Sequence, residues 1–275
     1  MLIDTHCHLD ATEFDADRAA VIARAVAAGV RQIVIPAVGR SNFQAVRDLA
    51  WSWPGGRYAL GIHPLYVAQA DDQDLLALAQ CLHAWQDDPR LVAVGEIGLD
   101  FFVPDHNAPA QRARQEIFYA HQLGLARQFG LPVLLHGRKS QDVLLKYLRR
   151  QSPIGGIAHA FNGSFQQAHQ FLDLGFSLGM GGALTFDRAL QIRRLATQLP
   201  IGALVLETDA PDMAPAWLGR DAQGHAQPAR NEPAEIAGVA DCLASLRGEA
   251  RAAVIGQCAA NAQRSLPRLA LVQPI

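Results

Sequence analysis

The sequence predicts an α/β fold, a single-domain TIM (β/α)8 barrel over residues 1–275, and three observations carry that prediction. Eight short apolar runs recur along the chain. Amphipathic helical stretches separate them. The runs show little polar–apolar alternation, as parallel strands do when both faces are covered. A doubly wound sheet is the rival, but it usually carries a glycine-rich turn after its first strand. This chain has THCHLDATEF there, and GMGG near residue 180 does not complete GxGxxG.

The elements follow in order. LIDTHCHL (2–9) is the first strand; alternation puts His6 and His8 on one face and Cys7 on the other, a spacing that can close on one metal ion. DRAAVIARAVAAG (17–29) has helical periodicity. RQIVIPAV (31–38) is the second strand, RYALGIHP (57–64) the third, ending at His63, and LVAVGEIGLD (91–100) the fourth, carrying Glu96. QEIFYAHQLGLARQFG (115–130) is a helix whose end is marked by Gly130 and Pro132. LPVLLHGR (131–138) brings His136, GGIAHAFN (155–162) brings His159, GFSLGMGG (175–182) is the seventh strand, and ALVLETDA (203–210) ends with Asp209. The Gly/Pro/Ala-rich stretch 211–233 is expected to be a long loop at the site rather than a linker. There is no domain boundary, internal repeat or low-complexity segment.

Composition narrows the class. Half the residues are hydrophobic, 18% are charged and the net charge is −2, which suits a compact enzyme and gives no global cationic field for nucleic acid or anionic lipid. Two bound divalent ions would bring −2 to +2, so a phosphate-bearing substrate is not excluded. The four cysteines show no CxxC pairing, no secretory leader is evident and no apolar run is long enough to span a bilayer, so a reduced cytoplasmic setting without a membrane is expected. Lysine occurs only at Lys139 and Lys146, on no predicted strand, which disfavours Schiff-base chemistry.

A barrel of this kind gathers its catalytic groups where strands end. His6, His8, His63, Glu96, His136, His159 and Asp209 all sit at such positions, so five of the ten histidines collect at one rim with two carboxylates. Taken singly each has a plain alternative: His136 as a hydrogen-bonded core histidine, Asp209 as a helix cap, His63 as the close of a turn. Glu96 would be a costly buried charge unless paired. Cys7 is expected to pack, and His83, His106, His121, His169 and His225 are expected to stand apart from the site.

The segments DTHCH, GIHP, GEIGLD, LLHGR, HAFNGS, LETDAP and RNEP resemble the signature segments of the TatD family of metal-dependent hydrolases, in the family's order from residue 4 to residue 233. MGGALTF and ETDAPDM resemble its YjjV-like branch. The resemblance implies a TIM barrel, a one- or two-metal centre and phosphoester hydrolysis, several members being deoxyribonucleases. It assigns His6, His8, Glu96 and Asp209 to one metal, and Glu96 as a bridge with His136 and His159 to the other. FFVPD after GLD departs from the usual segment, which touches substrate contacts and leaves the ligands intact.

On this reading two divalent ions per chain (Zn, Mn, Ni, Fe or Mg) would activate a water and hold a phosphodiester; the mixed imidazole and carboxylate set suits the transition metals best. Asp209 is the candidate general base, and Glu96 fixes the spacing of the ions. His63 and Arg138 are candidate phosphate contacts, with an ion pair as the alternative for Arg138. Glu207, on the same strand face as Asp209, is expected to support the ligands or pack in the barrel. Asn231 and Glu232 would fix the strand-eight loop or cap a helix, and Trp217 would stack on a substrate or pack at the rim. Arg220 and Arg230 are loop arginines that would favour an anionic substrate. The expected partner is DNA or a smaller phosphoester, with no obligatory protein partner. An amidohydrolase-type activity on a small amide, lactone or carboxylic ester is the alternative; a purely structural metal fits poorly, because structural sites are usually closed.

Overall fold

The computed structural model describes residues 1–219, 227 and 229–271; Arg220 and His225 lie outside the described residues. Eight parallel strands run in one sheet in sequence order: β1 (Leu2–Asp4), β2 (Val30–Pro36), β3 (Gly56–Leu60), β4 (Leu91–Asp100), β5 (Val133–Arg138), β6 (Gly156–Ala158), β7 (Phe176–Met180) and β8 (Leu204–Leu206). The ring closes where the Thr5 N–H donates to the Leu206 carbonyl, 3.1 Å. The predicted TIM barrel is the observed fold. Among the described residues no helix is long and apolar enough to cross a membrane.

Helices alternate with the strands on the outside: α1 (Arg18–Ala27), α2 (Phe43–Trp51), α3 (Asp72–Ala84), α4 (Pro109–Gln128), α5 (Gln141–Gln151), α6 (Phe165–Asp173), α7 (Leu190–Gln198) and α8 (Ile236–Arg247). Local chemistry sets several of their ends. Asp71 and Ser164 open α3 and α6 with reciprocal capping boxes, and Gly248 ends α8 in the left-handed conformation. Helix α4 begins well before the predicted residue 115, because Pro109 is preorganised for the first helical position.

The core has two parts. One lies between strands and helices. The other fills the barrel, where Ile3, Val34, Ala59, Val92, Leu134, Ile157 and Val205 meet Ala259, Ala262, Leu266 and Leu269. Ala259 and Ala262 belong to α9 (Arg251–Ser265), which with the short 3-10 turn after it floors the N-terminal mouth. Asn261 Nδ2 ties that floor to the carbonyls of Ile201 and Leu204, each at 2.7 Å. With the bottom sealed, the top is left for chemistry.

Most strands end sooner than predicted. β1 stops at Asp4 instead of residue 9, β3 at Leu60, β6 at Ala158 and β8 at Leu206. Beyond these points the backbone leaves the ladder so that side chains turn over the barrel mouth. His6, His8, His63, His159 and Asp209 therefore sit on the turns just past the strands, whereas Glu96 and His136 lie on β4 and β5 themselves. Strand alternation consequently does not place Glu207 and Asp209 on one face; Asp209 has a left-handed φ of 58° and turns away from it.

Gly98 is a residue that no other side chain replaces. Its φ is +147°, and a Cβ there would lie 2.0 Å from the carbonyl oxygen of His136. The pairing of β4 with β5 also slips between Val94 and Ile97, around Glu96. Gly98→Ala is expected to lower stability by about 2 kcal/mol or more, read as a drop in thermal midpoint, and to lower metal affinity by moving the His136 backbone.

Candidate metal centre

Glu96 stands at the middle of the barrel mouth, 1% exposed. Its two oxygens face opposite ways. Oε2 lies 3.1 Å from His6 Nε2 and 3.5 Å from His8 Nε2. Oε1 lies 3.0 Å from His136 Nδ1, 3.5 Å from His63 Nε2 and 3.6 Å from His159 Nε2. Asp209 Oδ1 completes the first side, 3.6 Å from Nε2 of both His6 and His8. All seven rim residues expected from the sequence thus converge. Three groups of them hold donor atoms close enough for one ion: His6, His8 and Asp209; His6, Glu96 and His159; and His63, Glu96 and His136.

The donor chemistry fits a cation. Among the described residues both ring nitrogens of buried His6 and the Oε2 of Glu96 have no hydrogen-bond partner, and buried polar groups without partners are costly. Protonation tells the same story. Burial opposes charge on Glu96, yet the imidazoles around it, His6 and His63 foremost, hold it well below the usual carboxylate range. Burial likewise opposes protonation of His8 and His159. Glu96 and Asp209 nevertheless raise His8 to about 9, and Asp209 with Glu207 raise His159 to about 10. Protons occupy the positions that a cation would neutralise.

Supporting groups fix which nitrogen faces the centre. Asp100 Oδ2 lies 3.0 Å from His136 Nε2, which leaves Nδ1 to face Glu96. Burial resists charge on Asp100, but His136 and two backbone N–H groups hold it down at about 2. Glu207 Oε1 accepts the Ala160 N–H at 2.6 Å and faces His159 Nδ1 at 3.4 Å, so the expected supporting role matches its place. His63 differs. Its Nδ1 accepts the Leu65 N–H at 3.2 Å, which puts the ring proton on Nε2. Burial keeps this ring neutral, its pKa well below the ordinary value. A neutral His63 with a protonated Nε2 is a hydrogen-bond donor toward the centre, although its position groups with Glu96 and His136.

Strands β1 and β8 are laced above the barrel. Asp4 accepts from the Thr208 N–H (3.0 Å), the Thr208 hydroxyl (2.5 Å) and the His6 N–H (3.3 Å). The Asp209 N–H donates to the His6 carbonyl and the His8 N–H to the Ala210 carbonyl, each 2.8 Å. Asn231 Nδ2 bonds the carbonyls of Thr208 and Asp212, each 2.9 Å. The expected loop-fixing role of Asn231 is what the structure has. Glu232 makes no cap and pairs instead with Arg24 at 2.6 Å.

A model of the TatD related DNase family matches residues 3–267. The chain belongs to the TatD family. It is 42% identical over 248 residues to the uncharacterized metal-dependent hydrolase YjjV of Escherichia coli K12, covering 90% of each chain. The crystal structure of that TatD homologue superposes with a TM-score of 0.87 at 38% identity, over 97% of this chain and 98% of the other. A 3'-5' ssDNA/RNA exonuclease TatD from Erwinia billingiae is 31% identical over 268 residues, 96% of this chain and 98% of that one. This TatD-family chain is therefore a metal-dependent hydrolase of the YjjV-like kind.

Two expectations about the TatD site are corrected. Arg230 is no evidence for an anionic substrate: its guanidinium pairs with Asp17 at 2.7 and 2.9 Å and bonds the Glu13 carbonyl. The ion pair offered as the alternative for Arg138 is absent among the described residues. Its guanidinium lies 3.7 Å from the ring centre of Phe102 and lines the cavity over Glu96. Trp217 lies against Gly238 and donates to Glu235 at 2.5 Å; it is 44% exposed but does not line the cavity over Glu96. Cys7 is buried in the outer core, its thiol donating to the Ala210 carbonyl at 3.6 Å, and belongs to none of the three groups. His83, His106, His121 and His169 lie outside the three groups. Sequence reasoning missed Asp4 and Asp100. Both lie inside recognised motifs, Asp4 opening DTHCH and Asp100 closing GEIGLD, and that membership was the available signal.

The raised histidines give a pH prediction. His8 and His159, with folded values of about 9 and about 10, hold protons at neutral pH when no ion is present. A metal must displace them, so affinity rises with pH and falls toward acid, by about tenfold per pH unit for each proton displaced. Calorimetric titration with Mn or Zn at pH 7, in two buffers of different ionisation enthalpy, should show release of at least one proton.

Proposed function

We propose that this chain is a phosphodiesterase acting on DNA or a smaller phosphoester through a dinuclear metal centre. The observation that carries the phosphoester reading is Arg138, a guanidinium at the cavity wall with no carboxylate partner among the described residues, opening onto the donors around Glu96. The exonuclease name of a relative matching 96% of the chain supports a nucleic-acid substrate. All four cysteines are free, in keeping with a cytoplasmic setting.

His6, His8, Glu96 and Asp209 would hold one ion, and Glu96, His136 and His159 the other. Bound there, the ions supply Lewis acidity and neutralise charge developing on the phosphoryl oxygens. The remaining chemistry belongs to the chain. Asp209, 15% exposed on the cavity floor, is the general base that takes the proton of the attacking water. Its backbone N–H bond to His6 holds the carboxylate in place despite the left-handed φ. His63 donates Nε2–H to a phosphoryl oxygen, and Arg138 offers two parallel N–H groups to the same phosphate. Asp100 and Glu207 keep the rings of His136 and His159 in register.

Elemental analysis should find close to two transition-metal ions per chain. Asp209→Asn should lose roughly a hundredfold or more in kcat on bis(p-nitrophenyl) phosphate. Arg138→Ala should keep its metal and raise KM on phosphodiesters with kcat nearly held. Lactonase or amidase turnover without any phosphoesterase activity would contradict this reading and favour the amidohydrolase alternative.

A further inference from the structure

The cavity over Glu96 has two lobes of unequal charge, the first rich in carboxylates and the second carrying as many cations as carboxylates. The first, about 550 Å³, runs from the centre toward the turn after β1; the charged residues that line it and not the second lobe include the carboxylates Asp10 and Glu13. The second, about 760 Å³, runs toward the turn after β5, and Lys139 is the charged residue that lines it and not the first. Arg138, His136, His159, Asp209 and Asp212 line both, so the reacting centre sits at the join.

The second lobe is furnished for an anion. Phe102 is 43% exposed, with the Arg138 guanidinium 3.7 Å and the Lys139 ammonium 4.8 Å from its ring centre. Neither cation has an ion-pair partner among the described residues. Lys139 adopts φ 53°, a left-handed backbone that non-glycine residues seldom take. One of only two lysines in the chain is thus held in a strained turn at the cavity edge. Beyond it the groove continues through Ala183 and Met213 to Phe186, over which Arg188 lies at 5.7 Å. Rings paired with cations along a groove are what stacked bases and backbone phosphates require.

We propose that the site selects phosphodiesters bearing a further anionic group on one side only. The added phosphate is bound by Lys139 beside Phe102, Arg138 being engaged with the scissile phosphate, and the uncharged end of the substrate fills the Asp10–Glu13 lobe, where a second phosphate is repelled. Lys139 is then a specificity-determining residue. This deepens the phosphodiesterase reading and rests on it.

The test uses metal-loaded enzyme and three substrates: thymidylyl-thymidine, its 5'-phosphorylated form and its 3'-phosphorylated form. One terminal phosphate should raise kcat/KM by about tenfold and the other should lower it. Lys139→Gln should shrink that gain to within about twofold, with metal content and thermal midpoint unchanged, and Lys139→Arg should restore it. Glu13→Gln should relieve the penalty on the disfavoured isomer. Equal effects of the two phosphates, or an undiminished gain in Lys139→Gln, would overturn the inference while leaving the phosphodiesterase reading standing. No turnover of any of the three would overturn both.

Discussion

The structure depends on one buried carboxylate whose two oxygens are shared between two sets of imidazoles. Glu96 is closed off from water on β4, and leaving such a charge unpaired would cost several kcal/mol. Its Oε2 answers to the residues after β1 and its Oε1 to His136 on β5 and to the residues after β3 and β6. A parallel barrel is well suited to this. Every strand delivers its C-terminal end to the same mouth, so residues distant in sequence reach one carboxylate without long loops.

Holding that arrangement still is the work of the closure between β1 and β8. Asp4 and Thr208 join the first strand to the turn after the last, and the His6 carbonyl carries the Asp209 amide. The ligand pair from the first strand and the carboxylate from the last are therefore one rigid unit. Asn231 extends it into the following loop. The burial of Asp4, which raises its pKa to about 8 despite these bonds, shows how far from water the seam lies. Rings supported from behind by Asp100 and Glu207 need little rearrangement to receive a cation, and preorganisation of this kind is where catalytic electrostatics gain their strength.

The rim residues were legible because a polar group closing an apolar run is conspicuous, and eight such runs imply a shared mouth. His6, His8, Glu96, His136, His159 and Asp209 could be read that way. Their neighbours could not. Asp100 meets His136 across a strand pairing 36 residues apart, and Asp4 meets Thr208 across 204; no local pattern encodes either. Arg230 was misread for the same reason, since its partner Asp17 lies 213 residues away. Strand ends were misplaced because the turns carrying the histidines remain apolar enough to look like strand. The role of His63 needed its hydrogen bond from Leu65, a matter of ring tautomer that composition does not reveal.

The direct test of the shared carboxylate is the metal stoichiometry of Glu96→Ala, measured by elemental mass spectrometry on dialysed protein alongside its circular dichroism. If one carboxylate serves both sides, two cations close together repel without it, and both ions should be lost together while the barrel spectrum persists. A folded Glu96→Ala variant that retained one tightly held ion per chain would show that the two sides are independent, and would contradict the account.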